Sequence, residues 1–175
     1  LVDDHLRSRA ASMADRPYLQ LLRALDAASV RYAVAGGFAV VLHGVPRMTF
    51  DLDIVVDDSD DNMWHLVETL QQQGFRPRLP VPLSDLADAN IRRAWVDERN
   101  LIAFSLNHPI RTMEEVDIVL VTSSPWSDIA RSLVVRHVDN VPVPVVGREM
   151  LRQMKLATGR EKDRIDAELL GEFDE

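Results

Sequence analysis

The sequence predicts a mixed α/β (α+β) domain: a small mixed twisted sheet with flanking helices, followed by a short C-terminal helical segment. Three observations point there. Apolar residues recur at helical spacing in some segments and alternate or run together over short stretches in others, so helices and strands share one chain. Glycine and proline punctuate the boundaries between these segments. The length of 175 residues suits one domain of about 100–200 residues, and 46% apolar content is enough for a core.

Residues 1–14 read as a ragged lead-in, 15–146 as the core, and 147–175 as a helical segment packed on it. Asp15 is a candidate cap for a helix with Pro17 in its first turn, and Leu19, Leu22, Leu25 and Ala28 form its apolar stripe. A short buried strand is expected at 32–35. Gly36-Gly37 follows at once, then a short helix over 38–43 that ends at Gly44. Residues 50–56 form a second strand. Ser59 or its neighbouring aspartates cap the next helix, which stops at Gly74. Pro77, Pro80 and Pro82 make 76–90 a loop with one helical turn at most. Residues 93–98 and 101–107 are expected as two strands around a turn, and 114–121 as a further strand. A short helix covers 126–133. Strands at 134–138 and 141–145 are expected to pair at a sheet edge, because Pro142 and Pro144 argue against a central place. Helices over 148–158 and 161–170 break near Gly159.

Composition narrows the function classes. With no cysteine, a disulfide scaffold and a thiolate metal site are excluded, and a reducing compartment is compatible. The net charge of −8 argues against wrapping extended DNA, while leaving a local nucleotide or RNA site open. No apolar run approaches the 18 or so residues of a membrane span, and the charged start has no signal core, so a cytoplasmic location is expected.

The chemistry concentrates in three aspartates set into apolar strands. Asp51 and Asp53, at i and i+2, project to one face, while Leu52, Ile54 and Val56 pack on the other. Asp117 repeats the arrangement between Val116 and Ile118. Burying adjacent carboxylates without compensation is costly, and a hard divalent cation, Mg²⁺ or Mn²⁺, removes that cost. Gly36 and Gly37, between strand and helix, let backbone amides approach phosphate oxygens. They match neither the GxGxxG nor the GxxxxGK[ST] pattern. Arg47, just before the carboxylate strand, is placed to counter phosphate charge or to hold the aspartates. Thr49 orders that loop, and His43 reads as a packed structural histidine.

This combination, GGFAVVLHGVPRMTFDLDIVV with a later carboxylate, resembles the signature of the polymerase-beta-type nucleotidyltransferase superfamily. Within it, the pattern is similar to the minimal branch that includes the AbiEii-like toxins of bacterial toxin–antitoxin systems. The closing stretch MKLATGREKDRIDAELL, with Lys155, Arg160, Lys162, Asp163 and Asp166, matches the family's terminal motif. Many superfamily members carry Gly-Ser where this chain has Gly36-Gly37.

The resemblance implies a nucleotidyltransferase-like fold and metal-dependent transfer of an NMP from an NTP to an acceptor hydroxyl, with release of pyrophosphate. Asp51, Asp53 and Asp117 would hold the metal. Gly36, Gly37, Arg47, Thr49 and Lys155 would bind the nucleotide. The acceptor is left open between a tRNA end, a protein hydroxyl and a small molecule such as an aminoglycoside, and a cognate antitoxin is a possible partner. Only two of the 20 basic residues are lysines, Lys155 and Lys162, and both fall in the closing motif. Arg160 with Asp163, and Asp166, are expected to tie the closing helices together. The alternative is a non-catalytic nucleotide- or partner-binding relative of the same fold. A metal-dependent phosphohydrolase is disfavoured, because the five histidines form no ligand pattern.

Overall fold

The computed structural model describes residues 18–172. The expected lead-in, the Asp15 cap and Pro17 lie outside the described residues. Helix α1 (Leu19–Ala27) buries Leu19, Leu21, Leu22 and Leu25. Strand β1 (Tyr32–Val34) leads into α2 (Gly36–Leu42), which begins at the glycine pair. Strand β2 (Asp51–Val56) is followed by α3 (Asp60–Gln72), the two-residue strand β3 (Arg76–Pro77) and a 3₁₀ turn (Leu83–Ala87). Then come α4 (Ala89–Arg99), β4 (Ala103–Asn107), β5 (Glu115–Val119) and α5 (Trp126–Ser132). The hairpin β6 (Val134–Val138) and β7 (Val141–Val145) precedes the closing helices α6 (Arg148–Ala157) and α7 (Glu161–Glu172).

The strands form one mixed sheet of seven, in the order β3-β4-β5-β2-β1-β7-β6. β2 and β5 run parallel, with Asp53 opposite Asp117 and Asp51 opposite Glu115. β4 runs antiparallel to β5, placing Ser105 opposite Asp117 and Asn107 opposite Glu115. Alternation then decides the two faces. Leu52, Ile54, Val116, Ile118, Phe104 and Leu106 are buried on one side. Their alternates, Asp51, Asp53, Glu115, Asp117, Ser105 and Asn107, are half-buried or exposed on the other.

Two expectations are corrected. Residues 93–98 are helix, not strand. Asp88 caps α4 by accepting from the amides of Asn90 and Ile91, and Asn100 ends it in the left-handed region at φ 51. That helix presents Trp95 to the sheet, where it stacks on Phe104 with ring centroids 5.0 Å apart. The second correction concerns β7, which lies inside the sheet; β6 is the edge. Val146 donates its amide to Val34 (3.0 Å). Residues 144 and 142 share its parity, so the amides that Pro142 and Pro144 lack face β1. The β1–β7 ladder accordingly shrinks to one register pair, Val34 with Val145, while the β6 side is paired throughout.

Tyr18 fixes the end of the sheet at which the carboxylates stand. It is 1% exposed and meets Phe38 of α2 edge-on at 5.2 Å. Its hydroxyl accepts the Glu115 amide (2.9 Å) and lies against the carbonyls of Phe50 and Glu115, at the starts of β2 and β5. Burial pushes its ionisation up to about 12, so it remains a donor at neutral pH. Removing the hydroxyl strands these buried backbone groups. Tyr18→Phe is therefore expected to cost about 1–2 kcal/mol of stability, measured as a lowered urea midpoint with an unchanged slope.

Candidate active site

The site stands where β1 turns into α2, facing β2 and β5. Gly36 adopts φ +57, and a Cβ there would fall inside the Asp53 carboxylate. A Cβ at Gly37 would strike the Thr49 hydroxyl and lie 3.4 Å from the Arg47 guanidinium carbon. The glycine pair thus brings backbone against the carboxylates at one position and lets the loop before β2 close down at the next. Thr49 occupies space that a serine at position 37 would need. That accounts physically for the second glycine in this chain.

Asp51, Asp53 and Asp117 each offer an oxygen within 4.8 Å of the others; Asp51 is exposed and the other two are half-buried. Burial, and then repulsion from Asp51 and Asp117, pushes the Asp53 carboxyl up to about 6, against the attraction of Lys155 and a bond from the Gly37 amide. Burial likewise raises Asp117, although the Ser105 hydroxyl bonds its carboxylate. Among the described residues, Asp117 Oδ1 is buried with no hydrogen-bond partner. Hard oxygens, unmet acceptor capacity and mutual repulsion are the features a divalent cation satisfies.

These residues line a cleft of about 610 Å³ that also takes in Gly36, Gly37, Arg47, Thr49 and Lys155. All eight residues that the sequence assigned to metal or nucleotide therefore line one cleft. Lys155 is only 8% exposed, and its ammonium lies 2.8 Å from Asp163 Oδ1 and 2.9 Å from Asp166 Oδ2. Arg47 pairs with the same Asp166 oxygen. Arg160 pairs with Asp163, as the sequence suggested. His43 is 4% exposed, with Nε2 2.8 Å from the Val146 carbonyl, a structural histidine as expected. Lys162 is exposed on the cleft wall.

Sequence reasoning missed Ser105, which contacts Asp117, and the Arg78–Glu115 ion pair beside it. The alternation within 101–107 was a signal for Ser105; the register that sets it opposite Asp117 was not. The open sheet face therefore continues from the aspartates through Ser105 and Glu115 to Arg78.

The glycine turn lies against the Asp53 carboxylate, and Asp51 and Asp117 share that sheet face, an arrangement that fits the nucleotidyltransferase class. Solved structures share the fold. A lincosamide antibiotic adenylyltransferase, LnuA, bound to lincomycin is 17% identical, with 86% of this chain and 91% of that chain covered and a TM-score of 0.55. ANT(2'')-Ia in complex with adenylyl-2''-tobramycin is 13% identical over 86% and 83%, also at 0.55. A candidate nucleotidyltransferase of Thermotoga maritima is 16% identical over 97% and 94%, again at 0.55. Comparison with curated protein sequences returns no match. The chain belongs to the aminoglycoside-2''-adenylyltransferase family, whose model matches residues 18–170.

The raised Asp53 carboxyl has a stability consequence. A carboxyl raised on folding contributes stability that is full below its unfolded value of 3.8 and lost as pH rises through about 6. Without metal, Asp53→Asn is expected to be more stable than the parent by about 3 kcal/mol at pH 8, and the gap closes near pH 4. Mg²⁺ should raise the melting temperature of the parent and leave that of the variant nearly unchanged.

Proposed function

We propose that the protein is a Mg²⁺-dependent adenylyltransferase that moves AMP from ATP to a hydroxyl of a small antibiotic-like acceptor and releases pyrophosphate. The observation that carries this reading is the facing of the glycine turn and the three carboxylates across one cleft, in a chain of an adenylyltransferase family. The antibiotics held by the LnuA and ANT(2'')-Ia structures supply the acceptor class.

The Gly36 and Gly37 amides, the Thr49 hydroxyl, Arg47 and Lys155 hold the triphosphate. Asp51, Asp53 and Asp117 hold a divalent ion, which when bound neutralises phosphate charge at the reacting centre. With the leaving phosphates on the β1–β2 side, the acceptor approaches in line from the β5–β4 side, over the open face carrying Ser105, Glu115 and Arg78. Its hydroxyl oxygen bonds to the α-phosphorus as the bond to the bridging oxygen breaks, and pyrophosphate leaves with that electron pair. Asp117, raised by burial, takes the hydroxyl proton, while Ser105 holds its orientation. Fixed charge and positioning supply most of the acceleration.

A second reading keeps the chemistry and changes the acceptor to an RNA end or a protein hydroxyl, as in AbiEii-like toxins with a cognate antitoxin. That reading rests on the resemblance of the closing R-x-K-D-x-x-D-like stretch to the toxin branch; its Arg160, Lys162 and Asp163 line the cleft.

The test is incubation with Mg²⁺ and each α-labelled NTP, offering lincomycin, tobramycin, total RNA and cell protein. Label is expected on a small molecule, from ATP. Asp53→Ala and Asp117→Ala should each lower the rate at least about 10³-fold, as loss of several kcal/mol of charge stabilisation requires. Label on RNA or protein alone selects the second reading. ATP binding with no label on any acceptor identifies a non-catalytic relative.

A further inference from the structure

The two cations beside the glycine turn arrive from distant parts of the chain. Arg47 stands on the loop between α2 and β2, and Lys155 on α6. They nevertheless meet at one atom. Asp166 Oδ2, on α7, pairs with Arg47 Nη1 and lies 2.9 Å from Lys155 Nζ. Asp166 is 5% exposed, so solvent does little to screen this junction.

The neighbouring Asp163 does a different job. It is fully buried and bonds Lys155, the Thr158 hydroxyl (2.7 Å) and Arg160. Burial alone would raise its carboxyl, but these partners hold it down at about 2. All of them lie in α6, α7 or the turn between, so Asp163 ties the helical hairpin to itself. Asp166 instead reaches out of the hairpin to the loop that leads into Asp51.

Donor counting shows what is left for a ligand. An ammonium has three N–H groups and a guanidinium five. Lys155 directs two toward Asp163 and Asp166. Arg47 uses one on Asp166 and one on the Met48 carbonyl (3.2 Å). Both keep donors and both line the cleft. With both cations in hydrogen-bond range of one oxygen, they stand less than about 6 Å apart.

We infer that Asp166 is a positioning residue for the nucleotide: it fixes the spacing and aim of Arg47 and Lys155, which would otherwise repel, so that both meet one triphosphate. This rests on the adenylyltransferase reading above. Asp166 touches no substrate and acts through the two cations.

The test measures binding of α,β-methylene ATP with Mg²⁺ to the full chain by titration calorimetry, for the parent, Asp166→Asn, Arg47→Ala and the double variant. Asp166→Asn is expected to weaken binding about 10-fold, as loss of one charge-assisted contact implies. In the double variant Asp166→Asn should add less to Arg47→Ala than it costs the parent, because only the Lys155 half of the junction is left to lose. Unchanged binding in Asp166→Asn, or effects that multiply in the double variant, would overturn the inference. If Asp166→Asn fails to fold by circular dichroism, Asp166→Glu is read instead. It keeps the charge but shifts the junction by one methylene, and should weaken binding with the melting temperature preserved. Unchanged binding in that variant is equally fatal. Failure of the parent to bind the analogue refutes the adenylyltransferase reading itself, a result distinct from any difference between variants.

Discussion

Two carboxylates that face each other across neighbouring strands set the terms for everything around them. Asp53 and Asp117 are register partners on β2 and β5, and strands in a sheet lie about 4.8 Å apart. Like charges in that position destabilise a sheet. The fold holds them there by committing the opposite face of the same strands to the core through Leu52, Ile54, Val116 and Ile118. A slip of one residue in either strand would expose that apolar set. Tyr18 then fixes where both strands begin, and Gly36 leaves room for the Asp53 carboxylate. The electrostatic tension is thus held by hydrophobic register, and a bound cation would relieve it.

How much of this was legible in the sequence depends on how local the signal was. Asp51, Asp53 and Asp117 could be read because a period of two survives in the letters whatever the strand pairs with. The glycine pair could be read because only a few backbone conformations call for it. Residues 93–98, within the helix Ala89–Arg99, were misread as strand because Trp95 and Val96 favour strands. Its caps, Asp88 and Asn100, carried the better information. The place of β7 was misjudged by reading its prolines as favouring the edge, when both face the same neighbour and leave the other ladder whole. Ser105 and the Asp166 junction lay beyond reach for another reason. Each depends on which distant segments meet: β4 with β5 in one case, the closing hairpin with the loop at Arg47 in the other.

The site also shows how little a net charge says about a surface. The chain is strongly acidic overall, yet Arg47, Lys155, Arg160 and Lys162 gather around one cleft beside three aspartates. Such a mixture suits an anion that must be held while a cation is held next to it. The acidity elsewhere has no part in that chemistry, and the buried pairs of the closing hairpin use up part of the positive charge before any ligand arrives.

The scarcity of lysine carries a practical consequence. Lys155 is almost enclosed and engaged by two carboxylates, while Lys162 stands exposed on the cleft wall. Apart from the terminal amine, an amine-directed reagent therefore meets one accessible address on the whole chain, and it borders the cleft that holds the three aspartates. A fluorophore or crosslinker attached there would report on occupancy with no engineered cysteine, and the many arginines would stay invisible to it.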